Sequence, residues 1–503
     1  MRIRNKSTSG LIVSLSIGLA GCAVGPDYRR PHPDLPDHYV FTSPQATVQA
    51  PGLDGAAQRF IRSDIPGEWW TLFHSPALTN LVRTALARNY QLQAAREALR
   101  NAQELTLAEY GGLLPQVDGL FSRTRGDFPE AGSGIANRKL SYGYYDAHLT
   151  LSYNFDVWGR TRRTIEDQQA QADYVSGELK ATLLMLTGNV VSTALNAASL
   201  CAQIAEQEKL VAFEREYLRT ITEQFALGGA NGSDVALQQS QLAQQESVLP
   251  VLENRLVQAR HALAAYLGSA PVDVSLPVPD LTAMTLPEDL PVSLPISLLD
   301  QRPDIAEVEA NLHRATADVG IATANRLPQF SLSAQLGSQA IQAGELMMPG
   351  NGLATLAMQL MGPIFSGGAL YHQQRAAEAT LREYAALWQD TTLNAVRDVA
   401  NTLAQLQNDA SVLQATVRQE HAAVRALNLS QTQYRLGGVG YLTVLTAQAA
   451  YQNAALSLVR ARAARLSDTA ALFVALGGGW WNRNDAPLPP PSLFTSFLPW
   501  SRS

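Results

Sequence analysis

Gln224-Phe225-Ala226-Leu227-Gly228-Gly229 returns 209 residues later as Gln433-Tyr434-Arg435-Leu436-Gly437-Gly438. The match runs on without a gap to Leu267-Gly268, which falls on Leu476-Gly477. Toward the N-terminus, Leu114-Pro115-Gln116 returns as Leu327-Pro328-Gln329 at an offset of 213, and Leu92, Leu99 and Ala102 fall on Ile305, Leu312 and Ala315. A repeat at a fixed offset over this length means one structural unit used twice. The change of offset from 213 to 209 predicts a connection four residues shorter in the second copy. The units are expected at 76–268 and 298–477. Between them lies a connector, 269–297, with six prolines from Pro271 to Pro295. An extended segment, 22–75, precedes the repeats, and a proline-rich tail, 478–503, follows them.

Within each unit the hydrophobic period switches. Helical spacing from Leu81 to Leu107 breaks at Gly111-Gly112 and Pro115. Alternation follows: Leu149, Leu151, Tyr153 and Phe155 share one face, and His148, Thr150, Ser152 and Asn154 the other. Leu356, Met358 and Leu360 are the apolar set of the second copy. Period two with one apolar and one polar face fits a barrel strand between lipid and lumen, and equally a half-buried soluble sheet. A very long helix comes next in each copy. No proline falls between Pro129 and Pro250, or between Pro363 and Pro487. Trp158 to Leu227 would span about 100 Å at 1.5 Å per residue. In the second copy Val396/Val399, Leu403/Leu406, Ala410/Leu413, Val417/Glu420 and Val424/Leu427 hold heptad spacing with one break, at Glu420, which is coiled-coil packing. Cys201 aligns with Ala410 and is expected to be a small packed residue.

Two units supply about four strands per chain. Four strands cannot close a membrane barrel, whose smallest examples have eight, and an open sheet edge in lipid leaves backbone groups unpaired. Membrane spanning by these strands would therefore require an oligomer. The expected fold is a mixed α/β membrane protein: a shared β-barrel continued by a long helical coiled-coil barrel, internally duplicated.

The N-terminus supplies the address. Arg2, Arg4 and Lys6 precede a short apolar stretch, Leu11 to Ala20, that ends in Leu19-Ala20-Gly21-Cys22. This resembles a signal peptide, 1–21, ending in a bacterial lipobox, and Cys22 is the expected acylation site carrying N-acyl and S-diacylglycerol lipid. Residue 23 is alanine, where lipoproteins held in the inner membrane typically have aspartate, so the resemblance implies export to the outer membrane. Removal of the leader, with three cations and no acid, takes the formal charge from −6 to −9. With no basic run, nucleic-acid binding is not expected. Cys22 and Cys201 are the only cysteines, so no disulfide framework exists. No apolar run of 18 residues follows Cys22, so no transmembrane helix is expected.

The chain resembles the outer-membrane efflux lipoproteins of the NodT and OprM type, in the TolC superfamily, over nearly its whole mature length. The marks are Gly25-Pro26-Asp27-Tyr28 with Pro31, Trp69-Trp70 leading into Leu78, Asp156-Val157-Trp158-Gly159-Arg160, Arg302-Pro303-Asp304-Ile305, Leu327-Pro328-Gln329 and Gly362-Pro363-Ile364-Phe365. The resemblance implies a homotrimer with a twelve-stranded barrel and a periplasmic helical tunnel. It also implies docking to a periplasmic adaptor and an inner-membrane transporter of the RND type. The implied function is a passive exit duct for drugs or other small toxic compounds. Two other readings stay open at this point: a non-pore structural coiled-coil lipoprotein, and a duct for protein secretion.

The glycine turns Gly228-Gly229 and Gly437-Gly438 read as helix ends rather than phosphate cradles, since no strand and lysine accompany them. In the resembled family these turns form the periplasmic tip, with carboxylates that narrow the aperture. Here Thr443 and Thr446 stand where aspartate is common, and only the first copy keeps an acid, Asp234, aligned with Thr443. Asp234 fits either an aperture residue or the N-cap of the following helix. Tyr434 fits either a closing network or the end of the heptad seam. The eight histidines are scattered and no Gly-x-Ser-x-Gly is present, so neither a metal site nor an enzyme is expected.

Overall fold

The computed structural model describes residues 23–33, 36, 38–39, 46–49, 57–129, 139–271 and 278–483, the side chains of 127–129 and 139–142 excepted. The leader, Cys22, part of the connector and most of the tail lie outside these.

Helix α1, Pro76–Arg88, has Ser75 as N-cap, whose side chain accepts the Leu78 amide, and Pro76 at its first position. Helix α2, Tyr90–Tyr110, starts one residue after it ends. The continuous spacing from Leu81 to Leu107 is thus two helices, broken at Asn89. The Asn89 side chain accepts the Leu92 amide at 3.0 Å and donates to the Tyr266 carbonyl at 3.0 Å. A side chain that caps one helix and holds a distant element overrides local periodicity.

Strands β2, Gln116–Pro129, and β3, Lys139–Phe155, form the first hairpin, and β5, Gln329–Ala340, and β6, Gly352–Met361, the second. Residues Arg59–Ile61, β1, and Asp289–Pro291, β4, make a separate two-stranded parallel sheet. The hairpins join as one antiparallel sheet in the order β2-β3-β5-β6. Around the middle of the sheet its pairing sets like against like across all four strands. Val117 lies opposite Leu151, Leu149 opposite Leu336, and Leu336 opposite Ala354, while Thr150 lies opposite Gln335 and Gln335 opposite Thr355. The apolar face is uncovered: Val117, Phe121, Leu149, Leu336, Leu356 and Met358 are all more than half exposed. The second connection is shortened beyond the last register shared by both hairpins, Arg125↔Gly143 and Ser338↔Gly352. In the first copy part of the extra length is strand rather than loop.

Helix α3, Arg160–Ala226, follows β3, and α6, Ala369–Arg435, follows β6, each of 67 residues. Helices α4, Gly232–Tyr266, and α7, Tyr441–Ala475, return, each of 35 residues. Pro250 sits inside α4, which runs through it. The remaining long helix, α5, Pro303–Ala324, is the second copy of α2. An 18-residue window of α3 is apolar enough to cross a membrane by composition, with mean hydropathy 1.4. More than half of that window is buried, because α3 packs on α2, α4, α5 and α7 and supplies the core.

That core gathers at the middle of the molecule. Trp69, Trp70 and Phe73 enter it with Leu78, Val190, Leu195, Trp388, Leu466 and Phe473, and Trp69 stacks on Phe473 at 5.3 Å. Arg302 ties the start of the second unit to its end. Its guanidinium pairs with Asp304 at 2.6 Å and donates to the Ala475 carbonyl, the last residue of α7, at 3.1 Å.

Candidate functional site at the helical tip

Both long helices end in the same turn. Gly228 (φ 78°) and Gly437 (φ 76°) take the left-handed conformation. In the first turn the Gly229 amide reaches the Gln224 carbonyl at 2.8 Å and the Gly228 amide the Phe225 carbonyl at 3.0 Å. In the second, Gly438 reaches Gln433 and Gly437 reaches Tyr434. These are paired Schellman caps, and glycine is what their positive φ requires. Leu227 and Leu436, just before each glycine, are 88% and 81% exposed.

Asp234 lies at the third position of α4, and Asn231, not Asp234, is the N-cap. The Asn231 amide donates to Asp234 Oδ2 at 3.2 Å. The carboxylate thus closes a capping box beside the positive end of the helix dipole. In the second copy the cap position is Gly440. Thr443 and Thr446 are exposed, and the Thr446 hydroxyl turns back to the Leu442 carbonyl at 2.9 Å. Tyr434 joins a network: its hydroxyl donates to Gln224 Oε1 at 3.2 Å, linking α6 to α3. Its ring lies 5.8 Å from Tyr441, which stacks on Tyr217 at 5.4 Å. Burial, then the nearby Asp234 charge, push the Tyr434 hydroxyl above the usual phenol range. Ile221, Leu427 and Val444 complete this apolar plug.

Behind the plug lies a residue the sequence reading missed. Glu214 has no solvent exposure. Gln452 donates to its Oε1 at 2.7 Å, Gln448 donates to the same oxygen, and Gln238 donates to Oε2 at 2.5 Å. Tyr441 donates to Gln238 Oε1, so the network reaches the plug. A buried carboxylate is tolerated only when its lone pairs are met. Here amides from α4 and α7 meet them, tying three helices to one side chain. The signal was present. The buried seam of α3 reads Leu200, Gln203, Gln207, Leu210, Glu214, Tyr217 and Ile221. It is turned by one residue from the register transferred from α6, so the polar seam positions went unread. For the same reason Cys201 sits at the seam edge, partly buried, with its thiol pushed up by burial.

Cys22 lies outside the described residues, but the chain after it is pinned. The Val24 amide donates to the Trp158 carbonyl at 3.0 Å. Gly25 packs so closely on Gly320 that a Cβ would stand 2.5 Å from its Cα. Arg163, 4% exposed, holds Asp27 at 2.7 Å and Glu166 at 2.6 Å. Tyr28 stacks on His313 at 4.2 Å, and Arg30 pairs with Asp300 and Glu309. The Gly-Pro-Asp-Tyr stretch therefore fastens the start of the chain at the junction of β3 and α3. Among the described residues no group of three or more His, Cys, Asp or Glu side chains could hold a metal ion.

The family model for outer membrane efflux proteins matches residues 81–269 and again 294–478. The chain belongs to that family. The two matches fall on the two copies of the repeat. This efflux protein is 30% identical over 437 residues to the pyoverdine export outer membrane protein OpmQ of Pseudomonas aeruginosa, covering 84% of this chain and 90% of that one. It is 28% identical over 484 residues to the toluene efflux pump outer membrane protein TtgC of Pseudomonas putida, covering 95% and 96%. The solved outer-membrane channel OprN superposes with a TM-score of 0.81 at 25% identity, over 91% of this chain and all of that one. The Campylobacter jejuni CmeC channel shares the fold, with a TM-score of 0.83 at 21% identity over 92% and 96%. These are channel proteins and not enzymes, and the efflux protein belongs with them in the outer membrane.

Proposed function

We propose that three copies of this efflux protein close their sheets into one twelve-stranded barrel and continue it as a helical tunnel through the periplasm. The result is the passive exit duct of a tripartite pump for small toxic compounds. The observation that carries the reading is the sheet. It has four strands, one apolar face uncovered, and, among the described residues, no partner on the outer edge of β2 or β6. Such a sheet is unstable alone in lipid and complete only when closed. A scaffold without a pore has no use for it, and relatives named for pyoverdine and toluene favour small cargo over secreted protein.

In this duct the Schellman turns form the periplasmic tip, where a periplasmic adaptor docks and passes cargo from an inner-membrane transporter of the RND type. The Tyr434–Gln224 bond and the Glu214 network hold the two helix pairs of each chain, α3–α4 and α6–α7, together at that tip. Lipid on Cys22 anchors the barrel base in the outer membrane. Native mass spectrometry of the detergent-extracted protein tests the assembly: three lipidated chains are expected, and a stable monomer contradicts it.

A further inference from the structure

Alternate residues of β2 read Val117, Gly119, Phe121, Arg123 and Arg125. They share the uncovered apolar side of the sheet, since Val117 pairs with Leu151 and Phe121 with Ala147 of β3. Two arginines thus stand on that side, at the end of the sheet away from the long helices, and both are exposed. The fold does not demand cations there. The 213-residue offset puts Leu336 and Ser338 at the matching positions of the second copy.

The apolar side has an aromatic edge at each end. Toward the helices, Tyr153 and Phe155 meet edge to face at 4.8 Å, and Phe330 lies opposite Phe155. At the far end, Phe121 lies 6.4 Å from Tyr145, and the Arg123 guanidinium sits 5.4 Å from the centre of the same ring. Ten residues of β3 separate Phe155 from Tyr145. At about 3.4 Å per residue and a strand tilt of about 40° they climb about 25 Å, the height of the apolar band between the aromatic girdles of a membrane barrel. Arg123 is on the row of Tyr145, and Arg125, opposite Gly143, is one row beyond. In the proposed barrel both guanidinium groups therefore lie at the depth of the lipid headgroups, in the leaflet remote from the periplasm.

We propose that Arg123 and Arg125 bind the phosphate of a lipid headgroup in the outer leaflet of the outer membrane, one site per chain. The inference rests on the barrel proposed above and adds a ligand to its rim. Charge complementarity selects the occupant. Around the two cations the same side of the sheet carries Gly143, Tyr145, Ala147, Ser338 and Ala340, none of them acidic. Side chains two apart on a strand stand about 7 Å from each other, so two guanidinium forks can close on one headgroup. The Tyr145 ring orients the plane of Arg123. Gly143 leaves the space beside Arg125 open, where a Cβ would stand 3.6 Å from the Arg125 Cβ. Phe121, on the membrane side of Arg123, lies against the acyl chains of the same lipid.

The test is native mass spectrometry of the detergent-extracted full chain, titrated with lipid A, a phosphorylated glycolipid, or with a neutral galactolipid. Lipid A is expected to stay bound at up to one molecule per chain, and the galactolipid to be shed. Arg123→Gln with Arg125→Gln is expected to weaken lipid A binding by about tenfold or more, since it removes two charge-assisted contacts. Arg125→Gln alone leaves the contact between Arg123 and Tyr145 in place and is expected to weaken it less. Added salt should narrow the gap between wild type and the double variant. Equal retention of the two lipids overturns the proposal, as does wild-type affinity in both variants. Displacement of lipid A by an equal concentration of inorganic phosphate also overturns it, leaving an anion site without a lipid. A monomeric mass that retains neither lipid contradicts the barrel itself, a separate outcome.

Discussion

Gln452 of α7 donates to the Glu214 carboxylate of α3 at 2.7 Å across the seam between the two halves of the chain. The acid is fully buried and its neighbours in this contact are neutral amides from Gln238, Gln448 and Gln452. Replacing Glu214 by Ala removes the acceptor of all three at once. Each buried donor left unpaired costs about 1–3 kcal/mol. Glu214→Ala is therefore expected to lower the thermal midpoint by several degrees and to raise leak current through the tip in bilayers. An unchanged midpoint would mean water or a helix shift replaces the acceptor without loss.

Tyr434→Phe deletes a single part-buried bond to Gln224. A net loss of about 0.5–1.5 kcal/mol is expected from one neutral hydrogen bond. Stability should barely move while the open fraction in single-channel records rises several-fold. Equal open fractions would leave Tyr434 as packing only.

Asp409, on α6, is 7% exposed. Burial first, then its hydrogen bond with Asp468 and that residue's charge, push its carboxyl up to about 7; Gln405 and Arg465 oppose the shift. The folded pKa lies above the unfolded one, so the folded state holds the extra proton between about pH 4 and 7. Stability from this group is present below about pH 4 and is lost as pH rises through 7. Asp409→Asn is expected to raise the thermal midpoint at pH 8 and to flatten its pH dependence between 5 and 8. Parallel wild-type and variant curves would contradict the raised Asp409 carboxyl.

The strap after Cys22 hangs on Arg163. Arg163→Ala abandons the contacts with Val24, Asp27 and Glu166, a loss of about 1–3 kcal/mol. Limited proteolysis within 23–33 should quicken markedly, with little change in the melting of the helical body. Gly25→Ala should act the same way, since its φ of 95° and the Gly320 contact both exclude a Cβ. Resistance equal to wild type in both would show that the strap is held elsewhere.

Much of the fold was legible because the repeat is exact and the periods are long. Sixty-seven residues without proline, closed by Gly228 or Gly437, can be little else than a helix, and alternation from His148 to Phe155 announced a strand with two unlike faces. What escaped notice depended on partners remote in sequence. Asn89 splits a smooth helical pattern because it reaches Tyr266. Asp234 fitted an N-cap by composition, yet Asn231 takes that place and leaves the carboxylate to close the box. Glu214 falls outside the heptad register carried over from α6, and only α4 and α7, closing over it, make it a core residue. Heptads show which face of a helix is apolar; they do not show which polar side chains a third helix will bury.

This open sheet is expected to become a conducting barrel only in the assembly. Planar-bilayer recording of the purified protein, wild type beside Tyr434→Phe, tests it most directly. Discrete, long-lived conductance steps of one unit size are predicted, larger in mean current for the variant. Folded protein that inserts into the bilayer and carries no current in either form would contradict the account.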